Sequence, residues 1–323
     1  MTPAHTARAR TIEQRSLRFG VGANAVMAIA GFAAHVASGS SALLLDGLYS
    51  AVLVGSSLIA SRISRNVIRP PDRAWPYGYD GQEALYVLFR SLVLLGVIGF
   101  GLGSASGTLI DWARGDTIPA LQLHSVAGYT LAITVLCSLL AWRHFHDWHR
   151  TGRISLLLLT EARNARIDAL ITMATGLALL ITPWLSGTAM AGIAPITDAL
   201  LVIAVSVVLL LEPLRALKEA MSQAAGRAAD PKILQQTREV LMQELSGLQL
   251  QMMDFTVQQL GRTAFVVVYI NPLEAMDSAV VDGLRHHIDA RCSQELQQPV
   301  RSEIILTVMP PIHRPDSSLQ AAS

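Results

Sequence analysis

Six long apolar segments are the feature that most constrains the fold of this 323-residue chain. An α-helix needs about 20 mainly apolar residues to cross the hydrocarbon core of a bilayer. Only 15% of the residues are charged, against roughly 25% in an average soluble domain. We therefore predict an α-helical polytopic membrane protein, with spans at 19–37, 42–60, 84–110, 125–142, 156–184 and 196–211.

The arginines between these spans are distributed unevenly. They fall in the arm 1–18, between spans two and three, between spans four and five, and after span six, whereas the opposite loops carry almost none. By the positive-inside rule the arginine-bearing segments face the cytoplasm. We expect a cytoplasmic arm at 1–18, a six-helix domain at 19–213, both termini in the cytoplasm, and a bacterial inner (plasma) membrane as the location. The first apolar run is too long for a cleaved signal peptide and is predicted to be a retained span.

The composition changes to that of a soluble domain from about residue 214. Apolar residues recur at helical spacing over 233–245, and 279–292 is also predicted to be helical. Segments 252–258, 263–270 and 302–308 are predicted strands, with Gly261 marking a turn. The order helix–strand–strand–helix–strand predicts a cytoplasmic α+β domain of ferredoxin-like αββαβ type at 214–311, with helices on one face of a sheet. A disordered tail is expected at 312–323.

Acidic residues inside the apolar runs are the candidate functional residues. A charge at the bilayer centre costs roughly 2.5–3.5 kcal/mol on insertion scales, so such a residue needs a partner or a ligand. Asp46 in the second span shares a helix face with Tyr49 and Ser50. Asp168 in the fifth span shares one with Asn164 in the same way. If the two faces meet, they offer carboxylate, phenol, hydroxyl and amide oxygens to a cation.

Each candidate also has a structural interpretation. Asp168 and Asn164 would then form a hydrogen-bonded contact between helices. Asp46 would cap a helix or pair near the outer surface, and Tyr49 would be a packed interfacial ring. Glu161, which lies on the same helix face as Asp168, would form an interfacial ion pair with the neighbouring arginines 163 and 166.

A basic segment at 143–150 contains three histidines, His144, His146 and His149. It is predicted to be a loop, and contact with lipid headgroups is favoured over metal shuttling because three histidines in a short basic segment are weak evidence for a metal site. The two cysteines fit no disulfide or zinc-ribbon spacing.

Several motifs occur together in one order along residues 15–310. They are SALLLDGLYS at 41–50, WPYG at 75–78 followed by Glu83, NARID at 164–168, Asp198 at the head of the sixth span, and Asp230-Pro231 at the passage to the tail. This order, with six spans and an αββαβ tail, resembles the cation diffusion facilitator family, also called cation efflux.

The resemblance implies a dimer that exchanges a divalent cation for protons, with the domain at 214–311 serving dimerisation. It also implies a tetrahedral site of two ligand pairs between the second and fifth spans. The fifth-span pair falls on Asn164 and Asp168, and the second-span pair falls on Tyr49 and Leu53, with Asp46 matching the acidic residue just before that pair. Leu53 has no metal-binding atom, so the chain is a divergent member with an altered site. The metal residues expected from this comparison are Asp168, Asp46, Asn164 and Tyr49.

The transported ion is not resolved among Zn²⁺, Mn²⁺, Fe²⁺ and Co²⁺, although oxygen donors favour harder ions such as Mn²⁺, Fe²⁺ or Mg²⁺. No tightly bound cofactor is expected. The expected partners are the metal ion, protons, the lipid bilayer and a second copy of the chain. The net charge of +1 gives no reason to expect nucleic acid, and no enzyme motif is visible. The rival hypothesis is a membrane-embedded scaffold or binding protein that has kept the fold and lost transport, which the leucine at position 53 supports.

Overall fold

A computed structural model describes residues 3–67, 72–75, 78–119, 123–150, 156–185, 191–261 and 263–309. The chain divides into two compact units. One comprises Met1–Arg62 and Phe89–Ala216, and the other comprises Ile63–Leu88 and Leu217–Ser323. The predicted fold class, six membrane helices followed by a small α+β region, is confirmed.

The described part of the chain contains six helices long and apolar enough to cross a membrane. Their bounds are α1 Pro3–Ser38, α2 Ser41–Val67, α3 Gly81–Arg114, α4 Leu123–Arg150, α5 Leu156–Leu185 and α6 Thr197–Ala224, with a 3₁₀ turn at Ala191–Ile196 before α6. Several helices extend past the apolar run that predicted them. The first begins at Pro3 and the last continues through Pro213 to Ala224, because backbone hydrogen bonding does not stop where apolar side chains end.

The prediction of a loop at 143–150 is wrong, because α4 continues to Arg150. Contacts one helical turn apart support the extension. Arg143 and Asp147 form an ion pair of 3.8 Å, the rings of Trp142 and His146 stack, and His149 Nδ1 lies 2.9 Å from the Phe145 carbonyl oxygen. The sequence signal for a loop was its polarity, which is equally compatible with a helix that leaves an apolar environment.

His144 therefore points into the packed interior of the protein, whereas His146 and His149, spaced i, i+3, share an exposed face of the same helix. His144 is only 1% exposed, and its Nδ1 is 2.8 Å from the Ser16 hydroxyl of α1. His149 bonds within its own turn, and His146 stacks on its own helix. Because His144 lies on the buried side, the three do not form a three-histidine metal site in the part of the chain that the structure describes.

Glycine allows α1 and α2 to approach closely. A Cβ atom built on Gly31 would lie 2.5 Å from the Gly47 Cα, so the backbones of the two helices cross with no room for a side chain. On α5, a Cβ atom on Gly176 would collide with the Thr130 side chain of α4. One buried apolar cluster contains side chains from all four of these helices, α1, α2, α4 and α5.

The C-terminal unit contains α7 Pro231–Leu245, β1 Leu250–Leu260, β2 Thr263–Pro272, α8 Ser278–Leu296 and β3 Val300–Leu306. The sheet order is β1-β2-β3, antiparallel and then parallel. The predicted αββαβ order is therefore present, although the strands begin and end up to two residues from the predicted limits. Residues 312–323, the predicted disordered tail, lie outside the described residues.

The core of this domain lies between the sheet and its two helices. Val266, Val268 and Ile270 of β2 are fully buried, and Leu241 of α7 and Ile288 of α8 pack in the same cluster. The Asp230 carboxylate caps α7 by accepting a hydrogen bond from the Lys232 amide at 2.9 Å, and Pro231 occupies the first helical position. Burial raises the pKa of the Cys292 thiol on α8 to about 11, so the thiol stays protonated at neutral pH.

Candidate cation site in the membrane helices

Asp46 lies in the second turn of α2 and is half-buried. Its carboxylate accepts a hydrogen bond from the Tyr129 hydroxyl of α4. Tyr129 itself is buried, and it belongs to the apolar cluster that joins α1, α4 and α5. The expected alternative of a helix cap does not apply to Asp46, because its partner is a phenol on another span. One oxygen of the carboxylate is thus oriented by a neutral donor, and no cationic side chain of the described structure pairs with it.

Asp168 lies near the middle of α5 and is also half-buried. Within the described residues its carboxylate forms no hydrogen bond, and its electrostatic neighbours are Asp46, Glu161 and Glu212, all of the same sign. The interpretation of Asp168 as a hydrogen-bonded contact between helices therefore finds no bond to support it in this part of the chain. An unpaired carboxylate among other carboxylates inside membrane helices favours a cation.

Tyr49 is half-buried one turn after Asp46, and Ser50 next to it is buried. The Tyr49 hydroxyl is within electrostatic range of Asp168, as well as of Arg90 on α3. The structure thus brings together Asp46, Tyr49 and Asp168, three of the four residues that the sequence singled out.

Asn164 is the residue that the structure does not bring into this group. Its side chain is exposed and, among the described residues, forms no hydrogen bond. It lies one helical turn before Asp168, so the shared face predicted from the spacing holds for the backbone. Its role as a ligand stays a prediction. Leu53, on the next turn of α2 after Tyr49, is half-buried and carries no donor atom.

Glu161 has a different cationic neighbour from those predicted. Arg163 and Arg166 are both exposed, and Arg166 lies over the Phe145 ring at 4.9 Å. The positive charge near Glu161 is that of Arg90 on α3, and Glu212 on α6 adds a negative charge to the same neighbourhood. Arg90 could have been recognised from the sequence, because it is the single charged residue between 84 and 110. The side-chain nitrogen Nε of Arg90 is buried without a hydrogen-bond partner in the described structure.

Sequence reasoning also missed a pair of sulfur atoms. The Cys137 thiol of α4 lies 3.3 Å from the Met27 thioether of α1, and both side chains are buried. Cys137 is within electrostatic range of Asp46 and Asp168. No pattern in the sequence links residues 27 and 137, since their proximity depends on how α1 packs against α4.

Asp198 at the start of α6 has a structural role. Its carboxylate accepts hydrogen bonds from the Ser40 hydroxyl at 2.5 Å, the Ser41 amide at 2.7 Å and the Ala42 amide at 3.3 Å. These amides belong to the first turn of α2, whose N–H groups have no partner inside the helix. Asp198 therefore caps α2 from another helix.

No group of three or more His, Cys, Asp or Glu side chains is arranged to hold a metal ion among the residues that the structure describes. Any cation bound at Asp46 and Asp168 would thus take its remaining ligands from phenol, amide or hydroxyl oxygens, or from residues that a movement of the helices brings to the site.

Six helices long and apolar enough to cross a membrane, with the carboxylates Asp46 on α2 and Asp168 on α5 close enough to interact electrostatically, define a polytopic membrane protein with polar residues among its spans. The model of the cation efflux transmembrane domain matches residues 17–223. The chain therefore belongs to the cation efflux family, whose members are transporters of metal cations and not enzymes. A comparison with curated proteins found no match.

Proposed function

We propose that this protein exchanges a divalent metal cation for protons at a site between α2 and α5, and that Asp168 is its principal ligand. The observation that carries the proposal is that the Asp168 carboxylate, which lies within a membrane helix, forms no hydrogen bond in the described structure. A charge in that position is costly unless something compensates it. A bound divalent cation or a proton would do so, and alternation between the two is what exchange requires.

Asp46 is the second ligand in this proposal. The hydrogen bond from Tyr129 fixes one carboxylate oxygen and leaves the other available. Tyr49 supplies an auxiliary oxygen, because it lies one turn away and within electrostatic range of Asp168. Asn164 would join the site by rotation of α5 or of its own side chain. Carboxylate, phenol and amide donors suit Mn²⁺, Fe²⁺ or Mg²⁺ better than a nitrogen- and sulfur-rich zinc site does.

Proton coupling follows from the chemistry of the ligands. A carboxylate binds a metal ion only in its deprotonated form, so metal binding releases protons and proton binding releases metal. The arginine distribution supports an orientation with both termini in the cytoplasm. Efflux across a bacterial inner membrane is the direction and location proposed from the family. Homodimerisation through the C-terminal domain is carried over from the family, and alternating access about a midplane site is the mechanism proposed.

The second candidate function is a membrane-embedded scaffold or binding protein. The absence of a donor at Leu53 favours it, as does the lack of a preformed cluster of three acidic, histidine or cysteine ligands in the described structure. This alternative predicts a folded protein that moves no ion.

The experiment is transport in proteoliposomes under a pH gradient, with Zn²⁺, Mn²⁺, Fe²⁺, Co²⁺ and Mg²⁺ compared. The intact protein is measured beside Asp168→Ala, and Asp111→Ala serves as a matched control because Asp111 is an exposed carboxylate at the end of α3. Metal flux accompanied by proton movement, lost in Asp168→Ala and kept in Asp111→Ala, is the expected result. No flux for any ion from folded protein would overturn the transporter proposal in favour of the scaffold.

A further inference from the structure

An ion pair in the C-terminal unit joins the segment before α3 to the edge of the sheet. Asp80, the residue immediately before α3, is only 4% exposed. Its carboxylate oxygen Oδ2 lies 3.4 Å from the Nη2 of Arg301 on β3. Both residues belong to the compact unit made of Ile63–Leu88 and Leu217–Ser323. A carboxylate buried to this degree needs an opposite charge, so the contact positions both partners.

Two glycines with left-handed backbone conformations form the other contacts at this place. Gly78 has φ +85°, and a Cβ atom on it would collide with the guanidinium group of Arg301. Gly261, in the turn between β1 and β2, has φ +59°, and a Cβ atom there would lie 2.6 Å from the Asp80 carbonyl oxygen. The backbone of Gly261 therefore packs directly on the backbone of Asp80, and the Arg301 side chain packs directly on the backbone of Gly78. The positive φ of each glycine also disfavours a side chain at both positions.

The same residues determine where α3 begins. The Asp80 carbonyl accepts a hydrogen bond from the Glu83 amide at 3.1 Å, which closes the first turn of the helix. Just before it, the Tyr79 hydroxyl donates to the Asp72 carboxylate, whose other oxygen accepts from the Trp75 amide at 2.9 Å. The helix then continues without a break from Gly81 to Arg114 as the third candidate span.

We propose that Asp80, Arg301 and Gly261 form a latch by which the C-terminal α+β domain holds the first turn of the third membrane helix. Replacing a buried ion pair with apolar residues is often neutral or stabilising, so such a pair is better suited to specifying a docked arrangement than to adding stability. The latch makes the start of α3 dependent on the position of β3 and of the β1–β2 turn. A change in the domain is then transmitted to the third span through a continuous helix.

The structural part of this proposal is tested on the full-length protein by hydrogen–deuterium exchange of the amides at 82–88. Arg301→Gln and Asp80→Asn each remove one charge, and we expect exchange there to become about tenfold faster in both. The double variant Asp80→Arg with Arg301→Asp restores opposite charges and should recover most of the protection. Arg285→Gln is the matched control, because Arg285 forms an exposed ion pair of 3.5 Å with Asp282 in the same domain.

The latch would be overturned if the amides at 82–88 exchanged at the same rate in Arg301→Gln as in the intact protein. Gly261→Ala gives an independent variant, since its methyl group would displace the Asp80 carbonyl while leaving every charge in place. It should also speed exchange at 82–88, and unchanged exchange in this variant would contradict the role assigned to Gly261. Arg301→Lys keeps the charge and is used if Arg301→Gln fails to fold, with an intermediate increase expected.

The consequence for transport rests on the proposed function. Metal flux in proteoliposomes should fall several-fold in Arg301→Gln and recover in the charge-exchanged double variant. If the intact protein moves no ion, the proposed function fails while the exchange measurement still decides the latch. If exchange at 82–88 rises and flux is unchanged, the latch exists but does not transmit to transport, which overturns that part of the proposal.

Discussion

Two aspartates on the membrane helices, Asp198 and Asp168, are used in opposite ways. Asp198 at the start of α6 accepts three hydrogen bonds from Ser40 and from the first amides of α2. Asp168 near the middle of α5 accepts none from any residue in the described structure. The difference teaches that an acidic residue in an apolar segment is not by itself a functional residue. What matters is whether the fold already uses its oxygens.

Asp46 is intermediate between these two. It accepts one hydrogen bond, from Tyr129, and has no cationic partner among the described residues. In the described structure, the three carboxylates thus form a series by the number of hydrogen bonds they accept, from three for Asp198 through one for Asp46 to none for Asp168. The predictions below follow that series, with the largest effect expected where the fold supplies the fewest partners.

Replacing Asp168 with alanine should have the largest effect on transport. Because this carboxylate is the proposed principal ligand, metal flux should fall more than about 100-fold, beyond the loss caused by removing an outer partner of a ligand. The free energy of unfolding should change little or increase, since the variant removes a charge that no described residue compensates. Flux in proteoliposomes and denaturant unfolding in detergent measure the two effects separately.

Replacing Tyr129 with phenylalanine should have the second largest effect. The variant removes the only hydroxyl that orients Asp46 among the described residues, while the ring keeps its place in the apolar cluster. We expect metal affinity to fall about tenfold, as is usual for the loss of a hydrogen bond to a ligand. Equilibrium metal binding tests this. An affinity equal to that of the intact protein would place Asp46 outside the site.

Replacing Asp198 with alanine should affect stability and leave the cation site intact. Loss of the cap leaves the first amides of α2 without partners, which should lower the free energy of unfolding by about 2 kcal/mol. Metal affinity measured on the folded fraction should be unchanged. A fall in affinity comparable to that of Asp168→Ala would contradict the distinction between the two aspartates.

Replacing Tyr49 with phenylalanine should have the smallest effect, because its hydroxyl is an auxiliary oxygen in this account. We expect metal affinity to fall by less than about threefold, within the 0.5–1.5 kcal/mol of an ordinary hydrogen bond. Ser57→Ala is the matched control, since the Ser57 hydroxyl on the same helix donates to the Leu53 carbonyl at 2.9 Å. A loss in Tyr49→Phe as large as in Asp168→Ala would make Tyr49 a required ligand.

The six membrane helices could be predicted from the sequence because the apolar length that defines a span is a local property. The candidate residues Asp46 and Asp168 could also be predicted, since each is an acidic interruption of an apolar run. Their partners could not. Tyr129 and the Cys137–Met27 pair are recognised only once α1, α2, α4 and α5 are packed together.

The C-terminal domain was predictable for a different reason. The apolar run Phe265–Val268 and the turn at Gly261 define a strand and its limit locally, and both are present in the structure. The contact of that turn with Asp80 was not predictable, because the two residues are far apart in the sequence. The segment 143–150 failed as a loop prediction since polarity alone does not distinguish a loop from the polar end of a long helix.

The most direct test of the central claim is the position of the bound metal ion, determined by anomalous scattering from crystals of the full-length protein grown with Mn²⁺. The account predicts a peak at coordination distance, about 2.0–2.6 Å, from a carboxylate oxygen of Asp168, with Asp46 as a second ligand. That peak should be absent in Asp168→Ala and present in Asp198→Ala. A metal ion held elsewhere in the chain, with none at Asp168, would contradict the account.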